Sequence, residues 1–167
     1  EQIIQIASND KHVKYIKFRR NFGQTAAWSA GFGHAQGEYI IVMDADLQND
    51  PADIPGMLRK MDAEHLDVIS GWRKNRQDNG GMVLLSKIGN WIHRLVTGEN
   101  IHDHGCSLKI YRREALQDLE LYGEMHRYIP ALLSLRGFRI AELRVNHRPR
   151  RAGKTKYNFF RVFRGFF

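Results

Sequence analysis

The sequence predicts a three-layer α/β fold, in which helices flank both faces of a mostly parallel sheet. Short apolar or β-branched runs alternate along the chain with longer segments of helical periodicity, which is the order of strand–helix–strand units. One of these runs, Tyr39–Met43, is apolar throughout, as expected of a strand buried on both faces of a parallel sheet.

Five segments are predicted to be strands, because each is short and rich in apolar or β-branched residues. They are Val13–Phe18, Tyr39–Met43, Asp67–Ser70, Ser107–Tyr111 and Arg139–Val145. The last of them has the alternating pattern of a strand with one solvated face.

Helical patterns mark the segments between the strands. They are Gln24–Ala35, Asp53–Ala63, Met82–Val96 and Glu124–Leu135. The first is rich in small residues, which predicts a closely packed helix that ends near Gly37. Asp50 and Pro51 come just before the second, where they suit a helix start.

The chain has 167 residues, a length that suits one domain, and its single cysteine, Cys106, excludes an intrachain disulfide. It opens with Glu1–Ala7, which looks like the end of a helix. Because an α/β sheet normally opens with its own strand, we expect the fold here to lack its N-terminal strand or strands.

The positive charge is concentrated at the C-terminal end. The net charge is +8, and Leu143–Phe167 holds eight Lys or Arg and no acidic residue, so the rest of the chain is neutral. Such a segment favours an anionic partner, whether phosphates, nucleic acid or an acidic membrane surface. A solvated basic tail is the alternative, but the many aromatic residues of the segment favour an ordered one.

Two aspartates, Asp44 and Asp46, directly follow the apolar run Tyr39–Met43. Ligands of open α/β sheets bind just outside the carboxyl ends of strands, and two carboxylates one residue apart can converge there on Mg²⁺ or Mn²⁺. Gln48 can add a neutral oxygen or hold a bound water. A polar turn that caps the next helix is the alternative, but the apolar strand before the pair, with Gln48 and Pro51 after it, favours a metal site.

The segment Tyr39–Pro51 resembles the metal-binding strand end of family 2 glycosyltransferases, in particular the polyprenol-phosphate sugar transferases. These include dolichol-phosphate mannose synthase and bacterial undecaprenyl-phosphate sugar transferases. Other segments resemble further motifs of this family, in the family's order and over nearly the whole chain. They are Arg20–Gln24 with Ala26, Ala27 and Gly31 (RNxGxxxA), Gly71–Arg73 (GxR), Asp103–Lys109 with Tyr111–Arg113 (DxGCxxK), and Arg150–Tyr157 (RxxGxSKY, with Thr155 for Ser).

The resemblance implies a Rossmann-like GT-A catalytic domain over residues 1–157. It also implies inverting transfer of a sugar from a UDP- or GDP-sugar to a polyprenyl (undecaprenyl or dolichyl) phosphate. Asp44, Asp46 and Gln48 are then the ligands of Mg²⁺ or Mn²⁺ at the donor diphosphate, with Asp46 also among the catalytic residues. Asn21 and Gly23 match residues that bind the donor.

Three basic residues and one acidic residue complete the implied site. Arg73, Arg150 and Lys156 match residues that hold the phosphates of the acceptor or donor, although each has a solvated surface charge as its alternative. Asp103 is the candidate catalytic carboxylate. A sugar hydroxyl acceptor requires such a base, whereas a phosphate acceptor is already ionised at neutral pH, and Asp103 then orients the acceptor or a basic residue. A turn-forming Asp before Gly105 is the other alternative.

Residues 158–167 place four Phe on one helical face, with Arg161 and Arg164 elsewhere. This predicts the start of a basic amphipathic helix at a membrane surface, with a helix packed on the domain's own core as the alternative. The expected location is the cytoplasmic face of the inner (plasma) membrane, either peripheral or anchored by segments outside this sequence.

Two other functions stay open beside transfer to a lipid phosphate. A family 2 transferase that acts on sugar hydroxyls in polysaccharide synthesis is the first. A non-catalytic basic domain that binds nucleic acid is the second, and it is remote because the sequence has no recognisable nucleic-acid motif. We therefore expect no nucleic-acid partner, and we leave a homo-oligomer open.

Overall fold

The computed structural model of the chain describes residues 1–73 and 101–149. The helices and strands in these ranges are α1 (Gln2–Asn9), α2 (Gln24–His34), β1 (Tyr39–Val42), α3 (Ile54–Ala63), β2 (Val68–Trp72), β3 (Lys109–Arg112), α4 (Ile129–Leu135) and β4 (Ile140–Arg144). Short 3₁₀ turns are found at Pro51–Asp53, Arg113–Leu116 and Met125–Arg127.

The described strands form one mixed sheet in the order β1-β3-β2-β4. Strand β3 is antiparallel to both of its neighbours, and only β2 and β4 are parallel. The α/β class is confirmed, but the prediction of a mostly parallel sheet does not hold for these strands. The reason is that β3 begins at the end of the sheet where β2 ends, so β3 runs in the opposite direction between β1 and β2.

Helices cover both faces of the sheet, because successive side chains of a strand point to opposite faces. On one face, Val68 and Tyr111 belong to a buried cluster with side chains of α2 and α4. On the other face, Ile69 and Ile110 pack with Met57 of α3. The three-layer arrangement is therefore confirmed.

Strand β1 lies at the edge of the described sheet. The predicted strand is confirmed, but it is antiparallel to β3, and the prediction that it is buried on both faces is wrong. Ile40 is buried, whereas Ile41 is 40% exposed. Among the described residues no strand pairs with the outer side of β1, which leaves this strand less covered than its apolar sequence suggests.

The predicted strand Val13–Phe18 is wrong, because this segment pairs with no described strand. Tyr15 and Ile16 are 49% and 45% exposed. A strand needs a hydrogen-bonding neighbour, and an apolar run alone does not supply one.

The predicted helix Glu124–Leu135 is divided. A 3₁₀ turn at Met125–Arg127 is followed by α4, which begins at Ile129. Pro130 explains the break, because proline has no N–H to donate to the carbonyl four residues earlier and is therefore tolerated in the first turn of a helix but not in its interior.

The other predicted elements within the described residues agree with the structure to within two residues at each end. The predicted helix end Glu1–Ala7 is helical from Gln2 onward and forms most of α1, which continues to Asn9. The predicted helices Met82–Val96 and Asn158–Phe167, and the domain boundary after residue 157, lie outside the described residues. In the described part of the chain, no helix combines the length and the apolar character needed to cross a bilayer.

Gly71 in β2 is packed where a side chain has no room. Its N–H donates to the Leu108 carbonyl (2.9 Å), and a Cβ at this position would lie 3.1 Å from that carbonyl oxygen. The same Cβ would lie 2.9 Å from Cys106 Sγ and from Val145 Cγ2. We expect Gly71→Ala to lower the free energy of unfolding by about 1–3 kcal/mol, as overpacking does, measured by urea denaturation.

Gly31 in α2 is the matched control, because a Cβ there meets nothing within 4 Å. Gly31→Ala is expected to raise the free energy of unfolding by about 0.5–1 kcal/mol, since alanine favours helix. A Gly71→Ala protein as stable as the wild type would contradict the packing around β2.

Candidate active site

The carboxyl ends of β1, β2 and β4 and the amino end of β3 lie together along one edge of the sheet. This edge runs across the ends of the strands and is distinct from the lateral edge that β1 forms. The pairing registers show this, because Val42 lies opposite Lys109, Ser70 lies opposite Lys109, and Trp72 lies opposite Arg144. The loops at this edge carry the predicted site residues Asp44, Asp46, Gln48, Arg73 and Asp103.

Asp44 is held between α2 and the loop before β3. Its N–H donates to Ser107 Oγ (3.3 Å), and its Oδ1 accepts from Gln24 Nε2 (3.2 Å). The same Ser107 oxygen accepts from Nδ2 of the buried Asn49 (2.8 Å). Ser107 therefore fixes both sides of the loop that follows β1.

Asp46 and Gln48 belong to a tight turn. Leu47 between them has a left-handed φ of 64°, and the N–H of Gln48 donates to Asp46 Oδ1 (3.2 Å). The Gln48 carbonyl accepts from the N–H of Arg148 (2.8 Å), and its Nε2 donates to the Arg148 carbonyl (3.4 Å). The turn is therefore joined to the chain that leads toward Arg150.

The donor set of this loop fits a hard divalent cation. The carboxylates of Asp44 and Asp46 are half-buried, and an ionised carboxylate has about four acceptor sites, so it can hold a cation and accept hydrogen bonds at the same time. Within residues 1–73 and 101–149, no group of three or more His, Cys, Asp or Glu could hold a metal ion. A pair of carboxylates suits Mg²⁺, which usually takes one or two of them and completes its shell with waters and substrate phosphates.

Asn21 and Gly23 form the turn that starts α2. Asn21 Oδ1 accepts from the N–H of Gly23 (2.8 Å), and Gly23 has a φ of 88° that favours glycine. Both residues are exposed. Since the next residue, Gln24, contacts Asp44, this turn and the first N–H groups of α2 lie beside the aspartate loop. Such groups suit an anionic ligand.

Arg73 and Asp103 form a bidentate ion pair. Arg73 Nε and Nη2 donate to Asp103 Oδ2 (2.7 Å) and Oδ1 (2.9 Å), and the N–H of Arg73 also donates to Oδ2 (3.2 Å). Their side chains are only 12% and 6% exposed. Gly105 leaves room for the pair, because a Cβ there would lie 3.1 Å from Arg73 Nη2. Of the two roles expected for Asp103, this geometry favours the orientation of a basic residue.

The two groups of site residues are joined by one loop. Asp103, which binds Arg73, and Ser107, which binds the N–H of Asp44, are four residues apart in it. Their Cα atoms are therefore at most about 14 Å apart. Arg150 and Lys156 lie outside the described residues, and their roles stay predictions.

Lys109 packs against this loop; it is the lysine of the DxGCxxK segment, but no individual role was predicted for it. It is 2% exposed, and its Nζ donates to the carbonyls of His104 (3.3 Å) and Cys106. Burial lowers the pKa of Lys109, and the nearby Asp103 carboxylate opposes that shift. A lysine at the start of an apolar strand was the signal in the sequence.

Glu142 of β4 was also missed. Its Oε1 accepts from the N–H of Asp103 (3.0 Å), and its Oε2 accepts from the N–H and Nδ1 of His102 (both 2.8 Å). The Glu142 side chain is 7% exposed. An acidic residue inside a predicted strand was the one available signal.

A buried histidine supports the start of α2. Thr25 Oγ1 donates to the Gly123 carbonyl (2.6 Å) and lies 2.7 Å from His126 Nδ1. Because a hydroxyl has one proton, Thr25 accepts from His126, which assigns the imidazole proton to Nδ1. Burial, helped by the charge of Arg127, lowers the pKa of His126, so the ring is neutral at pH 7.

Comparison with protein families matches residues 1–120 of the chain to the family described as Glycosyl transferase family 2. A solved structure titled "Crystal Structure of a Mycobacterial Protein" superposes with a TM-score of 0.62 at 14% identity, covering 89% of this chain and 53% of that one. At this identity the likeness concerns the fold, and it agrees with a GT-A-like arrangement.

Curated relatives match at higher identity. The dodecaprenyl-phosphate galacturonate synthase of Rhizobium johnstonii is 45% identical over 158 residues, which are 91% of this chain and 46% of that protein. The undecaprenyl-phosphate 4-deoxy-4-formamido-L-arabinose transferase of Salmonella paratyphi B is 40% identical over 153 residues, 92% of this chain and 46% of that protein. The chain thus spans about half the length of these relatives.

The buried His126 predicts a pH dependence of stability. Its folded pKa lies below the ordinary value of 6.5, so between these two values the unfolded chain binds more protons than the folded one. The free energy of unfolding should therefore fall as the pH is lowered from about 7 to about 5. We expect His126→Asn, which keeps a donor for Thr25, to flatten this slope, measured by urea denaturation at several pH values.

His12→Asn is the control, because His12 is exposed. This variant is expected to keep the slope of the wild type. Equal slopes for His126→Asn and the wild type would contradict the buried neutral imidazole.

Proposed function

This chain belongs to family 2 of the glycosyl transferases, and on that premise we propose that it transfers a sugar, with inversion, from a nucleotide-sugar to a polyprenyl phosphate. The observation that carries the proposal is the sheet edge where the Asp44–Asp46 loop and the Arg73–Asp103 pair are joined by one loop. The names of both curated relatives refer to a polyprenyl phosphate, which supports this acceptor.

The donor half of the proposed site is the aspartate loop with the start of α2. Asp44, Asp46 and Gln48 would hold Mg²⁺ or Mn²⁺, which when bound neutralises the charge that develops on the departing nucleoside diphosphate. The N–H groups that follow Gly23 add a positive partial charge on the same side. A UDP- or GDP-sugar fits this half of the site, because its diphosphate is the group that both features attract.

The acceptor half of the proposed site is centred on Arg73. A guanidinium carries five N–H donors, so a bidentate pair with Asp103 does not by itself exhaust them, and the pairing fixes the plane of the group. Arg150 and Lys156 are proposed as further phosphate contacts. The lipid phosphate needs little deprotonation at neutral pH, since its second pKa is about 6.

Transfer to a sugar hydroxyl is the second candidate, and it needs a general base. Both carboxylate oxygens of Asp103 accept hydrogen bonds from Arg73, which suits an orienting carboxylate better than a base. The structure therefore favours the lipid phosphate as acceptor.

We place the reaction at the cytoplasmic face of the inner (plasma) membrane. The support is the basic, aromatic segment Leu143–Phe167, whose last ten residues are proposed to begin a helix along the membrane surface after a catalytic domain of residues 1–157. A lipid-linked acceptor has to be reached from the bilayer, and this segment supplies the cations and rings for that contact.

The proposal predicts a labelled lipid product. Membranes that contain the protein should transfer radiolabel from one of a panel of UDP- and GDP-sugars to undecaprenyl phosphate, with Mg²⁺ or Mn²⁺, into the organic phase. We expect Asp46→Asn to lower kcat/KM by about 100-fold or more, because a bound cation supplies several kcal/mol of charge stabilisation. Titration with Mn²⁺ in the presence of UDP or GDP should show that Asp46→Asn binds the cation more weakly than the wild type does.

Asp118→Asn is the control, because Asp118 is exposed and its φ of 56° is one that asparagine tolerates. Its activity should equal that of the wild type. No labelled lipid with any donor would refute the function, and undiminished turnover of Asp46→Asn would refute the metal role alone.

Asp103→Asn distinguishes the two acceptors. If the acceptor is a phosphate, asparagine still contacts Arg73 through one oxygen, and we expect about a tenfold loss that appears mainly as a higher KM for the lipid. If Asp103 is a general base for a hydroxyl, kcat should fall by about 10²–10⁴. Steady-state kinetics with varied lipid separates the two, and a loss confined to kcat would contradict the orienting role.

A further inference from the structure

We propose that Glu142 is a positioning residue that holds Asp103 in place against Arg73. The proposal rests on the proposed function only where transfer activity is the readout. Among the described residues, the hydrogen bonds of Glu142 go to His102 and Asp103 and not to Arg73, so we expect its effect on Arg73 to pass through Asp103.

The carboxylate of Glu142 binds one short piece of chain. Both of its oxygens accept hydrogen bonds, and within residues 1–73 and 101–149 the donors belong to His102 and Asp103. These partners are 39 and 40 residues away in sequence. The contact is therefore a tertiary one that fixes the backbone immediately before the Asp103 side chain.

The contacts continue from Glu142 to Arg73 without a gap. The N–H of Asp103 binds Glu142, and the carboxylate of Asp103 binds both the side chain and the N–H of Arg73. Glu142 itself lies opposite Ser70 in the parallel pairing of β4 with β2, and Arg73 directly follows β2. The two ends of the chain of contacts are thus anchored in neighbouring strands.

A second contact holds the same loop from the side. The ring of His102 stacks on Trp72, with centroids 4.5 Å apart and planes at 18°, and the Arg144 guanidinium lies 5.0 Å from the Trp72 centroid. The stack on Trp72, the residue before Arg73, holds the His102 ring where its Nδ1 reaches Glu142. Glu142 therefore fixes the backbone of His102 and Asp103, and the stack fixes the orientation of the His102 ring.

The geometry requires a carboxylate and not merely a polar side chain. Glutamine has one acceptor oxygen, so its NH₂ group would face an N–H donor of His102 or Asp103. Because the Glu142 side chain is only 7% exposed, water has little access to replace the lost hydrogen bond. We therefore expect Glu142→Gln, which preserves size, to release Asp103 from its place.

The first test is a double-mutant cycle on transfer activity. Glu142→Gln and Asp103→Asn are each expected to lower kcat/KM for the lipid acceptor by about tenfold, with the KM for the donor unchanged. The kcat/KM of the double variant should be no lower than that of the less active single variant, because both changes break the same chain of contacts. Losses that multiply in the double variant would overturn the proposal.

Glu64→Gln is the matched control, because Glu64 lies at the C-terminal end of α3 and forms a surface ion pair with Lys60. This variant is expected to leave kcat/KM unchanged. Glu142→Asp is a second variant that keeps the charge but shortens the reach. It should lose less activity than Glu142→Gln, and a greater loss would count against the proposal.

The second test needs no transfer activity. In the ¹⁵N-arginine spectrum of the 167-residue chain, the Arg73 Nε–H, assigned by its loss in Arg73→Lys, should be protected from exchange because it is bonded to Asp103. We expect Glu142→Gln to speed this exchange by about tenfold, as Asp103→Asn does, while Glu64→Gln does not. Unchanged protection in Glu142→Gln would overturn the proposal, whether or not the wild type transfers sugar. The expected loss of protection without any wild-type transfer would uphold this contact and refute the proposed function.

Discussion

The entry of β3 between β1 and β2, antiparallel to both, is the constraint on which the site depends. Because β3 starts at the edge where the other two strands end, the loop before it has to cross that edge. Its first part binds Arg73 through Asp103, and its last part binds the N–H of Asp44 through Ser107. One loop thereby sets the spacing of a pair of acidic residues and a guanidinium that come from different strands.

Buried charge at this edge is satisfied by hydrogen bonds that also fix the loop. Lys109 binds two carbonyls of the loop from below, and Glu142 binds two of its N–H groups from β4. A buried charge without such partners costs several kcal/mol, so arrangements of the loop that break these hydrogen bonds are disfavoured. The hydrogen bonds of Lys109 and Glu142 thereby favour a single geometry of the loop.

The sequence predicted the parts of the site that depend on local order. Asp44 and Asp46 follow an apolar run, and a strand end in an α/β sheet is where ligands bind. Strand direction was not predictable in the same way, because the apolar pattern of Tyr39–Met43 reads alike in parallel and antiparallel pairs. Val13–Phe18 shows a related failure, since the pattern of a strand does not reveal whether a neighbour is there to bond with it.

Glu142 and Lys109 escaped prediction for another reason. Most of their partners are main-chain N–H and carbonyl groups, which nearly every residue type carries, so the side-chain types alone did not reveal these contacts. Asp103 and Arg73, in contrast, carry opposite charges and lie in segments that resemble family motifs, so only the distance between them had to come from the structure. The roles of Arg150 and Lys156, which lie outside the described residues, rest on the sequence alone.

Cys106 gives this loop a property of practical use. It is the only cysteine of the chain, its side chain is fully buried next to Gly71, and burial raises the pKa of its thiol. A maleimide cannot reach the sulfur while Cys106 is buried, and burial also disfavours the thiolate, which is the reactive form. The labelling rate therefore reports how readily this part of the loop becomes exposed, without the introduction of a second cysteine.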